Sequence, residues 1–240
     1  MKKNYLSLFI LFTLSAPVVF SQTLRQPLSA IYLNLNAYSK THSDVFSFVH
    51  NQASLVEIKK PVVGIYAEQR FLLQATSVYT TAVVIPTSKG NIGIDLTYSG
   101  FNNYNESQVG LAYALPLGKK ASIGIQFDHY GYEVPYYSGD GVITTEIGAI
   151  IHLTDQLNLG MHVYNPVGGN FSKSNEKLTS TYNVGMGYDA SENFFAGAEI
   201  IKEESFPVEV NVGIQYRFEK QFFARMGMSS ATSISYMVLA

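Results

Sequence analysis

Few residues of this chain have the types and spacing that chemistry requires. Asp128-His129 resembles an acid–base pair, but both lie in "ASIGIQFDHY", residues 121–130, which alternates apolar and polar without a break. Neighbours on a strand point to opposite faces, so these two cannot form one hydrogen-bonded dyad. His152 and His162 share a face, yet a turn at 154–156 sets them out of register, and a metal site needs several convergent ligands. The sequence shows no serine matched with a histidine and an acid, no Gly-rich phosphate loop and no carboxylates at metal spacing. The chain has no cysteine, so there is no thiolate site, catalytic thiol or disulfide. The expectation is a protein that is not an enzyme and uses no metal or cofactor. A net charge of -2 argues against a nucleic-acid partner.

The remaining candidates are single charges on faces otherwise made of Gly, Ala, Ser and Asn: Asp95, Asp128, Glu146, Glu199, Glu209, Arg217 and Arg225. Glu199, Glu209, Arg217 and Arg225 fall on the polar faces of three consecutive strands, so they are expected to form one network of opposite charges. Buried charges are rarely left unpaired, because an uncompensated one costs several kcal/mol.

The elements that position these charges are strands. The period of two in 121–130 returns in Ile92, Ile94, Leu96 and Tyr98, in Val109, Leu111, Tyr113 and Leu115, and in Val208, Val210, Val212, Ile214, Tyr216 and Phe218. About twelve such segments lie between Pro61 and Ala240, each about the length a tilted strand needs to cross an outer membrane. No stretch beyond residue 21 approaches the ~18 consecutive apolar residues of a spanning helix.

Two placements favour lipid over water on the apolar faces. Lys89, Lys119, Lys120, Lys173, Lys177 and Lys220 sit in loops and Lys202 at a strand end, whereas the polar faces of a soluble sandwich would welcome lysine. Short links at 86–90, 116–120, 154–156, 190–192 and 219–221 alternate with longer ones, above all 131–141 and 166–180, as in outer-membrane barrels. Tyr98, Tyr130, Tyr164 and Tyr182 on one side, and Tyr113, Tyr188, Phe194, Phe218 and Phe222 on the other, suit the two aromatic girdles of such a barrel. The fold expected is all-β, an antiparallel transmembrane β-barrel of about 12 strands.

Three regions divide the chain. Residues 1–21, with Lys2 and Lys3, an apolar run from Tyr5 to Leu14 and a small-residue site at Val19-Phe20-Ser21, read as a cleaved signal peptide for export to the outer membrane. Residues 22–60 form an N-terminal periplasmic or hatch segment without sustained alternation, with a possible helix N-cap at Ser43 or Asp44 and an Asn51–Ala53 turn. The other reading of this segment is a periplasmic extension with an extra strand at Ala30–Tyr38. Residues 61–240 are the barrel.

Ser43-Asp44-Val45-Phe46-Ser47, Asn51-Gln52-Ala53-Ser54-Leu55, "GIYAEQRFLL", "YNESQVGLAYALPLGKKASIGIQFDHY" and "LNLGMHVYNPVGG" together resemble FadL-like barrels of the PorV/PorQ type from outer membranes of the Bacteroidetes. The resemblance covers nearly the whole chain beyond residue 21. It implies a barrel of about 14 strands with an N-terminal hatch, here carried by Asp44, Phe46, Asn51, Ala53 and Leu55. It also implies transport of small hydrophobic ligands across the outer membrane or, alternatively, a structural or type IX secretion-associated role with a plugged lumen. Partners would accordingly be outer-membrane lipid, a hydrophobic small molecule and secretion-machinery proteins. Two departures stand out: Gln52 replaces the proline of the family's Asn-Pro-Ala, and the sequence stops at "SISYMVLA", about one hairpin short of the family barrel, which leaves truncation and closure with fewer strands both open.

The loop sorting generates a topology prediction. The turns at 86–90, 116–120 and 154–156 should lie on the same side as the N-terminus of the exported chain, and 131–141 and 166–180 on the other. Single cysteines at positions 119 and 138, treated with an impermeant maleimide on intact cells, should react at 138 and not at 119.

Overall fold

A computed structural model of the chain describes residues 35–69, 72–218, 222–230 and 235–239. The expected signal peptide and residues 22–34 of the hatch segment lie outside the described residues. Twelve antiparallel strands follow one another in a single sheet, each hydrogen-bonded to the next in chain order. They are β1 (Val62–Gln69), β2 (Ser77–Pro86), β3 (Asn91–Phe101), β4 (Tyr104–Leu117), β5 (Ala121–Val134) and β6 (Tyr137–His152), followed by β7 (Leu157–Tyr164), β8 (Thr181–Asp189), β9 (Phe194–Glu203), β10 (Glu209–Phe218), β11 (Phe222–Ser229) and β12 (Ser235–Leu239). This is an all-β transmembrane barrel fold. Among the described residues no ladder joins β1 to β12.

Alternation turns into two surfaces. In β5, Ser122, Gln126, Asp128 and Tyr130 are buried while Ile123, Ile125 and Phe127 are exposed. The same split runs around the sheet, with Ile94, Leu96, Leu111, Ile147, Val184, Ile200, Val212 and Met226 all outward and exposed. A continuous apolar belt on the outside and buried carboxylates and amides inside are what a bilayer demands of a barrel, since lipid cannot solvate polar groups and a closed ladder satisfies the backbone internally. His129 points outward and Asp128 inward, so the pair is split between faces, as alternation requires.

Two expectations change. Tyr98 and Tyr182 stand exposed on the belt, but Tyr130 and Tyr164 are 0% and 1% exposed and face the lumen, where they pack with Val142, Phe171 and Leu178. The supposed loop at 131–141 is mostly strand: β5 and β6 stay paired as far as Val134 and Tyr137, with a bulge between Tyr132 and Val134. Continued pairing satisfies backbone groups that a floppy loop would leave to water. The 16 residues between β7 and β8 are a true loop, but Phe171 and Leu178 turn inward and cap the barrel mouth instead of lying wholly exposed.

Val212 is outward and 44% exposed, so Val212→Arg should lower folding yield in lipid by the ~2–4 kcal/mol that Arg costs at the midplane of a barrel. Gly213→Ser, on the inner face, is expected from the sequence alone to be nearly silent. The fold revises that, because a Cβ there meets Leu35 Cδ1 at 2.8 Å. Urea titrations in vesicles should therefore give a large loss for the first and a small but measurable loss for the second.

Candidate functional site

Residues 35–58, the described part of the segment expected to be a hatch and called so below, pack against the inner face of the sheet. A 3-10 turn at Leu35–Tyr38 leads through a loop to one helical turn, α1 (Ser47–His50), and then a 3-10 segment at Gln52–Glu57. The extra strand considered for Ala30–Tyr38 is absent over its described part, 35–38. Asp44 shapes the entry to α1, its Oδ1 accepting from the Phe46 N–H at 2.9 Å and the Ser47 hydroxyl at 3.3 Å. Asn51 shapes the exit, its Oδ1 accepting from the Ala53 N–H at 3.1 Å and its Nδ2 donating to the Met161 carbonyl of β7 at 3.1 Å. No proline is needed for this turn, and Gln52 uses its side chain to donate to Glu146 Oε2 at 2.6 Å.

Glycines on the inner wall make room. A Cβ at Gly93 would lie 2.8 Å from Phe48, at Gly124 2.6 Å from Gln52, and at Gly160 2.5 Å from Tyr38. Such approaches are closer than atoms tolerate, so the hatch and the wall glycines form one packing surface.

The two sides of the hatch differ in chemistry. Towards β2 and β4 it is apolar: Val45, Phe48 and Leu55 pack with Ala82, Val84, Ala112 and Ala114. Towards β6 and β8–β11 it is tied to buried acids. Glu199 accepts from Tyr38 at 3.0 Å and Asn211 at 3.1 Å, and lies 2.6 Å from His50 Nε2. Burial, and secondarily the Glu199 charge, raise the Tyr38 pKa well above that of a free phenol, so Tyr38 remains a donor. Asp189 accepts from Ser39 at 2.5 Å and from the Lys40 N–H at 2.9 Å, and lies 3.2 Å from His42 Nδ1. Glu146 holds Gln52 and His162, the latter at 2.8 Å.

The four wall charges do not meet as one network. Arg225 Nη2 pairs with Asp44 Oδ2 of the hatch at 3.0 Å, and its Nε donates to Gln215 Oε1. Glu199 goes to His50 and Tyr38, and Glu209 accepts from Ser229 at 2.6 Å. Arg217 is half-buried on the inner face, opposite Phe223 in the register. The strand register explains the difference: it sets the amides Asn211 opposite Glu199 and Gln215 opposite Arg225, so both groups find their other polar partners on the hatch. Of the hatch residues expected from sequence, Asp44 and Asn51 make polar ties, Phe46 packs at the rim of the apolar side, and Ala53 and Leu55 are fully buried. The sequence did not single out Tyr38, His42 and His50, and it showed Gln52 only as a missing proline; two histidines eight residues apart in a non-alternating segment were a usable signal.

Ser39, His42 and Asp189 have the residue types of a hydrolytic triad in the wrong arrangement. Serine and histidine both turn to the same carboxylate oxygen, and the serine hydroxyl lies 3.5 Å from the same His42 nitrogen that faces the acid. A nucleophile needs the opposite ring nitrogen as its base. His152 and His162 also stay apart, paired with Asn158 and Glu146. Among the described residues no three His, Asp or Glu could hold a metal ion.

No family model and no curated protein matches the chain. Solved structures do match in fold. The toluene transporter TodX of Pseudomonas putida superposes with a TM-score of 0.60 over 86% of this chain and 83% of that one, at 10% identity. The KdgM porin gives 0.52 over 74% of this chain and 96% of that one, at 14% identity. At these identities the likeness concerns the fold, that of outer-membrane porins and transporters.

Loss of Glu199 should loosen the hatch, since it removes hydrogen bonds to a charged group worth about 1.5–3 kcal/mol each. Ser54 is 1% exposed and the chain has no native cysteine, so Ser54→Cys reports opening. Maleimide should label Ser54→Cys at least about tenfold faster once Glu199→Leu is added, a shift equivalent to ~1.4 kcal/mol in hatch closure.

Proposed function

We propose that this chain is an outer-membrane β-barrel of the FadL-like type that passes small hydrophobic ligands beside a tethered hatch. The observation that carries this reading is the two-sidedness of the hatch. Its polar ties to Asp189, Glu199 and Arg225 hold it to one side of the lumen. Its other side packs on a wall of small apolar residues, Ala82, Val84, Ala112 and Ala114, and the polar ties on that side are two hydrogen bonds from Asn91 of β3 to the Leu55 and Ile58 carbonyls, with no charged group involved. A hydrophobic ligand competes with apolar packing and has nothing to offer a buried ion pair, so its path runs along β2–β4 while the polar side acts as the hinge. The fold shared with a barrel described as a toluene transporter supports the reading.

The capped mouth favours a second reading. Phe171 and Leu178 seal the end opposite the tight turns, as suits a plugged structural or type IX secretion-associated barrel that works through partner proteins.

Uptake separates the two. In cells lacking their own channel for hydrophobic compounds, the full chain should restore uptake of radiolabelled toluene. Ala112→Trp, which fills the proposed path, should reduce uptake several-fold while leaving the folded, heat-modifiable band on gels intact. No uptake by the wild type, with recovery of secretion proteins on purification, favours the plugged reading. A large, permanently open conductance in planar bilayers would contradict both.

A further inference from the structure

High on the outer wall, β4, β5 and β6 form a depression that the lumen reading leaves unused. Its floor lacks side chains because Gly131 of β5 pairs directly with Gly141 of β6. Ser107 of β4 is the third member of that row. The next row towards the membrane is Val109, His129 and Ile143, where Val109 and Ile143 are 47% and 72% exposed. The depression therefore starts one outward row, two residues along each strand, above the apolar belt, where acyl chains give way to headgroups. Its volume is about 520 Å³, within the range of roughly 300–1,000 Å³ for small-molecule sites.

The rim is built from two segments. His129 and Glu133 come from β5, and Lys173 comes from the loop between β7 and β8. Asp140 fixes Lys173 in place: its carboxylate accepts from the N–H groups of Gly141 at 2.8 Å, Lys173 at 2.9 Å and Ser174 at 2.7 Å. Lys173 Nζ then reaches back to the Gly139 carbonyl at 2.6 Å, which leaves ammonium protons free for a ligand. A carboxylate that gathers three backbone donors from two segments makes a defined edge to the depression.

We infer that this depression binds the sugar headgroup of an outer-leaflet glycolipid, whose acyl chains lie along Val109, Ile143 and Phe127 below. The rim has an acceptor-only carboxylate, an ammonium, an imidazole and a serine hydroxyl, so it matches the mixed donors and acceptors of sugar hydroxyls. A bare phosphate fits less well, because Glu133 stands on the same rim as Lys173. The inference rests on the outer-membrane reading above. Fractionation tests that reading separately: absence of the chain from outer membranes overturns the reading, whereas failure of binding by chain recovered from them overturns only the inference.

The test uses the full chain in a zwitterionic, sugar-free detergent, with a rough lipooligosaccharide as probe and its delipidated core oligosaccharide as the second arm. Native mass spectrometry should show the lipooligosaccharide retained and the free oligosaccharide not. Gly131→Phe fills the floor, and its Cβ has Asp140 O at 3.4 Å, His129 Cε1 at 3.6 Å and Gly141 Cα at 4.0 Å as nearest neighbours, all without a clash, so the barrel should still fold and give its heat-modifiable band. Both Gly131→Phe and Lys173→Glu should lower retention at least tenfold. Retention unchanged in Gly131→Phe, no retention by the wild type, or equal binding of the free oligosaccharide overturns the glycolipid site.

Discussion

The structure depends on the pairing of charges buried in the lumen wall. Glu146, Glu199 and Arg225 are each no more than 5% exposed, and leaving such groups uncompensated costs several kcal/mol apiece. Each has one neutral or imidazole partner on the adjacent strand, His162, Asn211 and Gln215 respectively, but the remaining partners lie off the sheet. They are Gln52, His50 with Tyr38, and Asp44, all on a segment that precedes the first strand. The wall is therefore incomplete without the hatch, and the hatch, with a single helical turn of its own, has no independent reason to hold its shape. Each half supplies the solvation that the other lacks.

That dependence explains why glycine lines the inner wall. Charged ties are short-ranged and need the hatch backbone close to the sheet, as at Gly124 and Gly160, where any side chain would push the hatch away. The contacts with the hatch are uneven around the lumen: alanines and valines of β2 and β4 pack on it, whereas carboxylates of β6, β8 and β9 and an arginine of β11 bond to it. Mostly apolar packing on one side and charged bonds on the other are the asymmetry on which the proposed transport reading rests.

Outside, the barrel has a second level of organisation above the lipid. The β5–β6 ribbon extends to Val134 and Tyr137, and the loop after β7 folds against its upper edge, with Ser172 donating to the Gly141 carbonyl and Asp140 binding the loop tip. Phe171 from the same loop turns inward against Tyr130 and Tyr132. One loop thus closes the lumen with its aromatic side and borders an outer-wall depression with its polar side. These functions are coupled by three consecutive residues, Phe171, Ser172 and Lys173.

Some of this was present in the sequence by itself. A period of two states which face a residue occupies, so the lipid belt, the strand count, the inward charges and the separation of Asp128 from His129 could be read directly. Asp44 and Asn51 were readable as turn-formers because their side chains bond to backbone within three residues. Height and partner were not readable. Arg225 meets Asp44 across a separation of 181 residues, and Tyr130 and Tyr164 pack under the Phe171–Leu178 loop inside the lumen, a contact that neither the alternation in 121–130 nor that in 157–164 specifies. The hatch has no periodicity to read, since its conformation is set by the wall it packs on. Local pattern determines face and turn because those depend on adjacent residues; pairing of buried charges depends on strand register and on a segment from elsewhere in the chain, and only the tertiary structure brings these together.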